Sequence, residues 1–570
     1  MKNWYYRQRR DGKPEPREWA RELGEVSPRF ASLLWRRGFS TPEEANRFME
    51  PLLRNLSRPD LWPGMKEGAG YLASGILAGQ KFAVWGDYDV DGVTATALVY
   101  QVLSHYDIPV TWHLPERQRE GYGLNIPELE KLAEQGVRLL LTVDCGISDH
   151  AAVAHARKLG MTVVVSDHHL PPPELPEAHA LCNPQLAECP SKALAGVGVA
   201  FFLMAELNNL LADALKKKRF DMKEVLDLVA LGTLADMVPL EGENRILVKK
   251  GLESIGRASR PGISELKAVS KYAPLAELGA GQVVFHLAPR INAAGRMAGA
   301  QEALNLLCTK DVVEAQQRAR RLNELNEERR REEEQILAEA LAQAEQSKDA
   351  GLVVAGEGWN PGVIGIVASR LVERHYKPTF VLCRDGDSLK GSGRSIKEFD
   401  LYAGLASCAD VLEGFGGHRM AAGLRLRPDM LDTFRYRFSE AVQAQLGTEL
   451  PLPSLLLDGE LDFAAASDFV FLKELELMEP FGMGNPEPVF SSPPLQIRRR
   501  TLFGPQKNHV KLELYDESCG TSLHAKVWRQ AETFPASLEG TRIQIAYTPS
   551  LDKYNGITNV DIHIKDIKFL

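Results

Sequence analysis

Between about residues 65 and 170, short apolar runs alternate with helical stretches, and this alternation restricts the fold more than any other feature of the chain. Strands that alternate with helices in this way pair as a parallel sheet with helices on both faces. The sequence therefore predicts an α/β fold with a doubly wound parallel sheet. The predicted strands lie at 82–86, 108–114, 138–143 and 161–165, and the predicted helices lie at 92–106, 126–135 and 149–159.

Acidic and imidazole side chains follow three of these predicted strands. Asp87, Asp89 and Asp91 follow the first strand, and Asp144 follows the third. The fourth strand leads into the sequence Asp-His-His at 167–169. The carboxyl ends of parallel strands meet at one edge of a sheet, where open α/β proteins bind ligands. Because three acids within five residues repel one another, and because oxygen ligands suit Mg²⁺ and Mn²⁺, we expect a divalent metal site at this edge.

The composition is that of an ordinary soluble globular protein, with 44% hydrophobic and 25% charged residues. The length of 570 residues predicts about three or four domains. The seven cysteines contain no C-x-x-C pair, which argues against a zinc site and against the disulfide framework of a secreted protein. No signal peptide and no apolar run long enough to cross a bilayer is expected, so the sequence predicts a cytoplasmic protein. The net charge of -8 does not indicate nucleic-acid binding, although local patches can differ from the whole.

The ordered motifs resemble those of the DHH phosphoesterase superfamily, and most closely those of its bacterial single-strand-specific 5′→3′ DNA exonucleases. The resemblance extends past residue 350 and covers nearly the whole chain. It implies a hydrolase that uses two divalent ions, Mn²⁺ or Mg²⁺. The matching segments are Asp87–Gly92, Asp144, Asp167–His169, Asp236 at the end of an apolar helix, Pro115–Arg117, Glu120–Gly123 and Pro289–Arg296.

The resemblance also implies which residues bind the ions. Asp144 would bridge the two ions, and the division of the other acids between them stays open. In the arrangement that the resemblance favours, one ion is bound by Asp87 and Asp89, and the other by Asp91, His168 and Asp236. The residues implied to be catalytic are Asp91, Asp144, His168 and His169.

The substrate strand would meet a further set of residues. His169 would face the scissile phosphate, and Asp167 would orient its neighbours. Arg117 would meet a phosphate, with Tyr122 as a stacking surface. Arg290 and Arg296 would also meet phosphates, from a segment rich in small residues that we interpret as a loop, Pro289–Met297.

The second half of the chain begins with residues 310 to 348, which contain almost no glycine or proline and predict one long connecting helix; a coiled-coil dimer stays open. A second α/β module follows to about residue 446, and it resembles the DHH-associated domain, DHHA1. Its glycine-dense segments at 391–395 and 414–418 are interpreted as phosphate-binding loops. The resemblance implies that the 5′ phosphate is bound, and the cleft lined, by Ser392, Gly393, Arg394 and His418.

Short alternating strands after residue 452 predict an all-β, five-stranded barrel of the OB type. Basic residues at 498–500 and the aromatic residues Phe503, Trp528 and Tyr547 have the makeup of a platform for single strands. The alternative, that the aromatic residues are core and the basic ones only solubilise the domain, stays open. The predicted domains are a helical segment at 1–60, a DHH catalytic domain at 61–309, a connecting helix at 310–349, a DHHA1 domain at 350–450 and an OB-fold domain at 451–570.

We therefore expect an exonuclease of DNA repair and recombination that releases mononucleotides from the 5′ end of single-stranded DNA. One alternative is a phosphodiesterase acting on short oligonucleotides or cyclic dinucleotides, against which the barrel argues. Another is a catalytically inactive single-strand-binding replication subunit, against which the complete set of acids and histidines argues. A single-strand-binding protein and a RecQ-type helicase are partners implied by the resemblance. We expect a monomer and no membrane, and the sequence leaves open the Mn²⁺ or Mg²⁺ preference, processivity and RNA tolerance.

Overall fold

The structure is a computed structural model that describes residues 2–9, 11–16, 18–116, 119–504, 506–528, 531, 538–554 and 557–570. The chain divides into two compact units. One unit comprises residues 1–56, 239–249 and 452–570, and the other comprises residues 57–238 and 250–451. Helix Gly242–Arg257 belongs in part to each of them.

The larger unit contains the parallel sheet that the sequence predicts. Every pairing within this sheet is parallel, and the strand that comes first in the chain lies inside the sheet, so the strand order reverses beside it. This reversal opens a crevice at the carboxyl ends of the strands. Across the sheet the strands run Val110–His113, Lys81–Gly86, Val137–Val143, Thr162–Ser166 and Ala180–Cys182.

Helices cover both faces of this sheet because its strands are apolar on both sides. Trp85, Leu140 and Val165 on one face form a buried cluster with the helices Ile126–Glu134 and His150–Lys158. The opposite face carries Met65–Leu77, Val90–His105 and Gly196–Leu215. The unit's remaining helices before the connecting helix are Leu226–Ala235, Pro261–Val269, Ala280–Gln282, Ala288–Met297 and Gln301–Cys308, with a π-helical turn at Val283–Leu287.

Helix Gly196–Leu215 is the one described helix that is long and apolar enough to cross a membrane by length and composition. About two thirds of its apolar window, 67%, is buried within the protein, as expected for a core helix. The expectation that no apolar run has this length was therefore wrong for Gly196–Leu215, and its burial explains the composition.

The connecting helix is present as Val312–Gln346, and it leads into a second sheet in the same unit. Only the pairing of the first two strands in chain order is parallel; the others are antiparallel. This sheet runs Gly414–Gly417, Ala421–Leu426, Ser388–Arg394, Thr379–Asp385 and Leu352–Gly356. Its helices are Ile364–His375, Leu401–Ala406 and Leu431–Leu446.

The two glycine-dense segments of this module are strands and not the loops that the sequence predicted. Gly391, Ser392 and Gly393 pair on both sides within the strand Ser388–Arg394. A Cβ at Gly393 would overlap the ring of Phe380 in the neighbouring strand. Glycine is therefore needed for close packing in the sheet, which the composition of the segment does not distinguish from a loop. Gly414–Gly417 is the edge strand of the same sheet.

The smaller unit is built on a closed barrel, as predicted. Its five strands pair in a ring in the order Leu495–Phe503, His509–Asp516, Thr521–Val527, Ile557–Phe569 and Arg542–Tyr554, and the last pairs again with the first. Tyr547 is fully buried, and its hydroxyl donates to the carbonyl of Leu461 at 2.7 Å, so for this residue the core alternative that the sequence left open is the one observed. Phe503, His509 and Trp528 form an aromatic cluster, in which Trp528 is 49% exposed.

Residues 1–56 belong to the same unit as the barrel. Strand Asn3–Tyr6 pairs in parallel with Ser454–Leu457, a pairing that the sequence did not predict. Helix Pro28–Arg36 brings Phe30 and Leu34 into one buried cluster with the barrel interior, and the helices Trp19–Glu22 and Pro42–Met49 add Trp19 and Ala45 to the same cluster. Strands Gly459–Glu460 and Phe490–Ser491 and helices Phe463–Ala466 and Phe469–Glu476 complete the unit.

Candidate metal centre

The acidic motif after the first strand of the parallel sheet is held at the start of a helix. Asp89 is the N-cap of helix Val90–His105, and its Oδ1 accepts hydrogen bonds from the backbone N–H groups of Asp91 at 2.8 Å and Gly92 at 3.1 Å. Such capping is the usual use of an aspartate at a helix start. The cap fixes the turn of the chain and leaves Asp87 and Asp91 on either side of it.

Asp91 is buried against the start of a second helix. Its carboxylate accepts hydrogen bonds from the backbone N–H groups of Gly196 at 2.6 Å and Val197 at 2.9 Å, in the first turn of Gly196–Leu215. These donors satisfy an anion at a helix N-terminus. A Cβ at Gly196 would lie 2.6 Å from the Cβ of Asp144, so the helix can approach the acids only with glycine at this position. No signal in the sequence marks these two backbone groups as part of the site.

Asp144 sits at the centre of the predicted ligands. Its backbone has a φ of 61°, in the left-handed region that is uncommon for residues other than glycine and is concentrated at functional sites. The residue is 3% exposed. Its Oδ1 lies 3.2 Å from His168 Nε2, which lies 3.7 Å from Asp236 Oδ2.

The structure brings all of the predicted metal ligands together in three groups, within each of which the ligand atoms lie within 4.8 Å of one another. Asp144 belongs to two of the groups, which is compatible with a bridging carboxylate, and His168 also belongs to two. The groups are Asp87 with Asp89 and Asp144, Asp91 with His168 and Asp236, and Asp144 with His168 and His169.

Three buried atoms of this cluster fit a metal ion better than they fit the protein around them. Although Asp144 Oδ1 and His168 Nε2 lie 3.2 Å apart, their contact lacks hydrogen-bond geometry, and in the described part of the chain no hydrogen bond is made by either atom or by Asp236 Oδ2. Buried polar atoms are nearly always satisfied, and leaving one unsatisfied costs about 1–3 kcal/mol. Carboxylate oxygens and one imidazole nitrogen are donors that Mn²⁺ and Mg²⁺ accept, so the residues present fit these ions.

The electrostatics of the cluster also indicate a site built for positive charge. Burial raises the pKa of Asp144 well above its usual range, and the neighbouring carboxylates, Asp91 first, raise it further. Burial likewise raises the pKa of Asp91 well above its usual range, followed by the charge of Asp236. Burial lowers the pKa of the His168 imidazole. Without a cation, the cluster therefore disfavours the charged forms of its own side chains.

His169 differs from its neighbour because a buried carboxylate orients it. Its Nδ1 donates to Asp167 Oδ1 at 2.7 Å, and Asp167 also accepts hydrogen bonds from three backbone N–H groups, those of Ile147, His168 and His169. Burial alone would lower the pKa of His169, but the hydrogen bond to Asp167 and the charges of Asp167, Asp236 and Asp87 together outweigh it and raise the pKa above the usual value. The Tyr122 hydroxyl lies 3.2 Å from the same Nδ1 and donates to the carbonyl of Asp144 at 3.2 Å.

The arginines that were predicted to contact phosphates differ in where they lie in the structure. Arg117 lies outside the described residues. The segment with Arg290 and Arg296 was predicted to be a loop, but it forms the helix Ala288–Met297, whose first turn accommodates Pro289. Arg290 donates to Asn323 Oδ1 at 3.0 Å, to the carbonyl of Val269 at 3.3 Å and to the carbonyl of His286. Arg296 Nη1 donates to the carbonyl of Gly362 at 2.8 Å.

The predicted phosphate-binding residues of the second module lie beside the start of a helix. Arg394 Nη1 lies 3.3 Å from Ser392 Oγ and donates to the carbonyl of Gly393 at 2.8 Å. A Cβ at Gly365, in the first turn of Ile364–His375, would lie 2.9 Å from Ser392 Oγ and 3.1 Å from Arg394 Nη2. An exposed His418 follows the edge strand. A helix start with a serine and an arginine beside it is a suitable anion site.

Comparison with known proteins places this architecture in one family. The model for the DHH family N-terminal domain matches residues 81–233, the DHHA1 domain model matches residues 348–444, and the RecJ OB domain model matches residues 457–566. The single-stranded-DNA-specific exonuclease RecJ of Salmonella typhimurium is 35% identical over 585 residues, which cover 98% of this chain and 99% of that protein. The chain belongs to the RecJ family.

Other members of the RecJ family agree over similar lengths. The single-stranded-DNA-specific exonuclease RecJ of Escherichia coli is 36% identical over 569 residues, covering 95% of this chain and 96% of that one. A crystal structure of RecJ in complex with Mn²⁺ from Thermus thermophilus has a TM-score of 0.82 at 30% identity, covering 99% of this chain and 79% of that chain. The corresponding complex with Mg²⁺ has a TM-score of 0.76 at 30% identity, covering 99% and 78%. The DHH domain and the C-terminal barrel of this chain therefore both have the architecture of the RecJ family.

Proposed function

We propose that this protein is a metal-dependent exonuclease that degrades single-stranded DNA from its 5′ end to mononucleotides, in DNA repair and recombination. Membership of the RecJ family supports this proposal. The observation that carries it is the convergence of the acids and histidines at the carboxyl ends of the parallel strands, with their ligand atoms within 4.8 Å of one another in each group. A catalytically inactive binding subunit would have no need of this complete cluster.

The metal ligands in this proposal are the six residues that the sequence predicted, with Asp144 shared between two ions. The ions are Mn²⁺ or Mg²⁺, and when bound they would clamp the phosphate, acidify a water and stabilise the leaving oxygen. The ligands are Asp87, Asp89, Asp91, Asp144, His168 and Asp236.

His169 acts on the substrate in this proposal and does not serve as a primary ligand. Because Nδ1 donates to Asp167, the proton is fixed on that nitrogen and Nε2 is available to the substrate. The raised pKa favours the protonated ring, so Nε2–H can donate to a phosphate oxygen. Asp167 is 0% exposed and keeps the ring in this orientation.

In this proposal, the residues around the cluster bind the single strand, and the contact to its 5′ phosphate sets the direction of degradation. Ser392, Gly393 and Arg394 bind the terminal 5′ phosphate beside the start of Ile364–His375. In the same proposal, the ring of Tyr122 is the surface on which a base stacks. The remaining contacts to the strand are proposed for Arg117, Arg290, Arg296 and His418.

The domains are proposed at the predicted boundaries, 1–60, 61–309, 310–349, 350–450 and 451–570, with the barrel holding the incoming strand. Its exposed Trp528, beside Phe503 and His509, supports that assignment. We propose a cytoplasmic monomer that works with a single-strand-binding protein and a RecQ-type helicase. These partners come from the family resemblance and not from a particular surface.

A degradation assay with Mn²⁺ tests the proposal, using strands labelled at the 5′ or the 3′ end and a blunt duplex. The expected result is immediate release of the 5′ label as mononucleotide, with the duplex left intact. Hydrolysis of di- or trinucleotides alone, without attack on long strands, would instead assign the protein to small substrates. Release from the 3′ end would overturn the proposed polarity.

A further inference from the structure

Glu120 holds together both ends of the loop that connects strand Val110–His113 with the helix after it. Its Oε2 lies 2.8 Å from Nε2 of His113 and accepts a hydrogen bond at 2.6 Å from Nδ2 of Asn125, the residue that caps this next helix. Its Oε1 accepts a hydrogen bond from the backbone N–H of Glu116 at 2.8 Å. One carboxylate therefore joins the strand before the loop to the helix after it.

The two side chains that contact Glu120 are themselves held in place. Asn125 Oδ1 accepts a hydrogen bond from the backbone N–H of Glu128 at 3.0 Å, so its amide nitrogen is the atom that faces Glu120. The His113 ring packs on the buried indole of Trp85, with 4.1 Å between the ring centroids. Burial alone would raise the pKa of Glu120, but the hydrogen bonds that it accepts, together with the charge of His113, outweigh burial and lower the pKa. The carboxylate therefore stays ionised and keeps its donors.

A second carboxylate holds the same loop just after Tyr122. Asp149 Oδ2 accepts a hydrogen bond from the backbone N–H of Leu124 at 3.0 Å. Gly123 has a φ of 87°, and a Cβ on it would lie 2.7 Å from both carboxylate oxygens of Asp149, so the turn has no room for a side chain at this position. The loop is therefore held by a carboxylate on each side of Tyr122.

Tyr122, between these two contacts, is held at its hydroxyl while much of its ring stays accessible. The hydroxyl donates to the carbonyl of Asp144 at 3.2 Å and lies 3.2 Å from His169 Nδ1. The residue is nevertheless 48% exposed. A large aromatic side chain whose position is fixed and whose surface is accessible suits the stacking of a nucleobase, because the ring needs no further ordering when the strand binds.

We propose that Glu120 is a positioning residue that acts through Tyr122, by holding the loop so that the ring of Tyr122 is in place for base stacking. The inference rests on the proposed function, which gives Tyr122 this stacking role. Without the carboxylate, His113 and Asn125 lose their common acceptor, and the ends of the loop can separate. The ring must then be ordered as the strand binds, and a misplacement of about 1 Å in a positioning group can reduce a rate about a hundredfold.

A carboxylate that only stabilises the fold would behave differently from one that positions the ring. If Glu120 served stability alone, its replacement would lower the amount of active protein and reduce the rate on every substrate by the same factor. If it acts through the ring of Tyr122, the loss is confined to substrates that present a base to that ring. Strands with and without their first bases therefore separate the two roles.

The test compares wild type with Glu120→Gln, which keeps the shape of the side chain and places an amide N–H group where an acceptor is needed. Glu134→Gln is the matched control, since Glu134 is an exposed residue of the helix Ile126–Glu134. With Mn²⁺, kcat/KM is measured on 5′-phosphorylated, 3′-labelled single strands that either carry all of their bases or lack the first two. The base preference is the ratio of the first kcat/KM to the second.

For the wild type we expect a base preference of about tenfold or more, which is the usual contribution of one base stacked on an aromatic ring. Glu120→Gln should lose most of this preference, because its kcat/KM falls about tenfold on strands with bases and keeps the wild-type value on strands without them. Glu134→Gln should keep both wild-type values. An equal loss on both strands, or an unchanged base preference, would overturn the inference.

A double-mutant cycle with Tyr122→Ala tests whether Glu120 acts through the ring. Glu120→Gln should lower kcat/KM on strands with bases when Tyr122 is present and have no further effect when the ring is absent. Losses that multiply in the double variant would show that the two residues act independently and would overturn the inference. An active wild type without any base preference would overturn it as well.

If Glu120→Gln does not fold, Asn125→Asp carries the same test. Aspartate caps a helix about as well as asparagine does, but it removes the Nδ2 donor and places a second negative charge beside Glu120. We expect the same loss of base preference, and a wild-type preference in this variant would overturn the inference. A wild-type protein that does not degrade single strands at all would remove the proposed function itself, which is a separate result.

Discussion

Replacing Asp144 with asparagine should make the metal-free protein more stable while it abolishes hydrolysis. The carboxylate is buried at 3% exposure, and burial together with the neighbouring acids raises its pKa well above the usual range. Asparagine keeps the shape, removes the charge and offers an amide donor to the surrounding carboxylates. Asparagine also tolerates the left-handed φ of 61° better than most residues.

The size of the effect follows from the unsatisfied Oδ1 and the repulsion around it. No hydrogen-bond partner is found for Asp144 Oδ1 within the described ranges. Relieving a buried unsatisfied group is worth about 1–3 kcal/mol in the free energy of unfolding. In a domain of about 150–250 residues, each kcal/mol corresponds to about 2–4 °C in Tm, so a rise of several degrees is expected in EDTA.

The stability of the metal-free protein should also depend on pH with a definite sign. A raised pKa in the folded state means that the folded protein binds the proton more tightly than the unfolded chain does. The contribution of Asp144 and Asp91 to stability is therefore present in full below the unfolded pKa and is lost as the pH rises through the raised folded pKa. Asp144→Asn should weaken this dependence, because one of the two groups no longer titrates.

Thermal unfolding measured with EDTA and with Mn²⁺ tests this reasoning. Mn²⁺ at about 100 times its Kd should stabilise the wild type by about 2.7 kcal/mol and the variant by much less. Asp213→Asn is the control, because that side chain is 74% exposed and should change stability little. An Asp144→Asn variant that is less stable than wild type in EDTA, or that gains the same stability from Mn²⁺, would refute the account of the cluster.

Two further substitutions test the packing of the site and of the smaller unit. Gly92→Ala should reduce Mn²⁺-dependent hydrolysis about a hundredfold or more, because its Cβ would overlap the backbone of Asp87; wild-type turnover would contradict this. Asp458→Ala should cost about 3–5 kcal/mol in the free energy of unfolding of the smaller unit, measured by denaturant titration. The loss arises because the buried Asp458 accepts hydrogen bonds from Arg7 and Arg37, and a change below about 0.5 kcal/mol would show that these partners are solvated instead.

The parts of the fold with a periodic local pattern could be predicted from the sequence. The parallel strands, the connecting helix and the barrel strands were predicted because apolar runs and helical composition are local signals. The strand Ala180–Cys182 has only three residues and carries too little pattern. The pairing of Asn3–Tyr6 with Ser454–Leu457 joins segments at opposite ends of the chain and has no local signal.

Some residues of the candidate site also carry a local signal in the sequence, and others carry none. Asp87, Asp144 and His168 were found because polar side chains that directly follow apolar strands are visible in the sequence. The backbone donors of Gly196 and Val197 carry no side-chain signal. The predictions of loops at the glycine-rich and small-residue segments were wrong, since such residues permit both loops and close packing in strands and helices.

Diffraction at the manganese absorption edge, from crystals grown with Mn²⁺, would test the central claim most directly. We expect two anomalous peaks at the carboxyl ends of the parallel strands, with Asp144 in contact with both. His169 should lie outside the primary ligands of either ion. A single peak, or two peaks that do not share Asp144, would contradict the assignment of the six ligands and the proposed hydrolysis that depends on them.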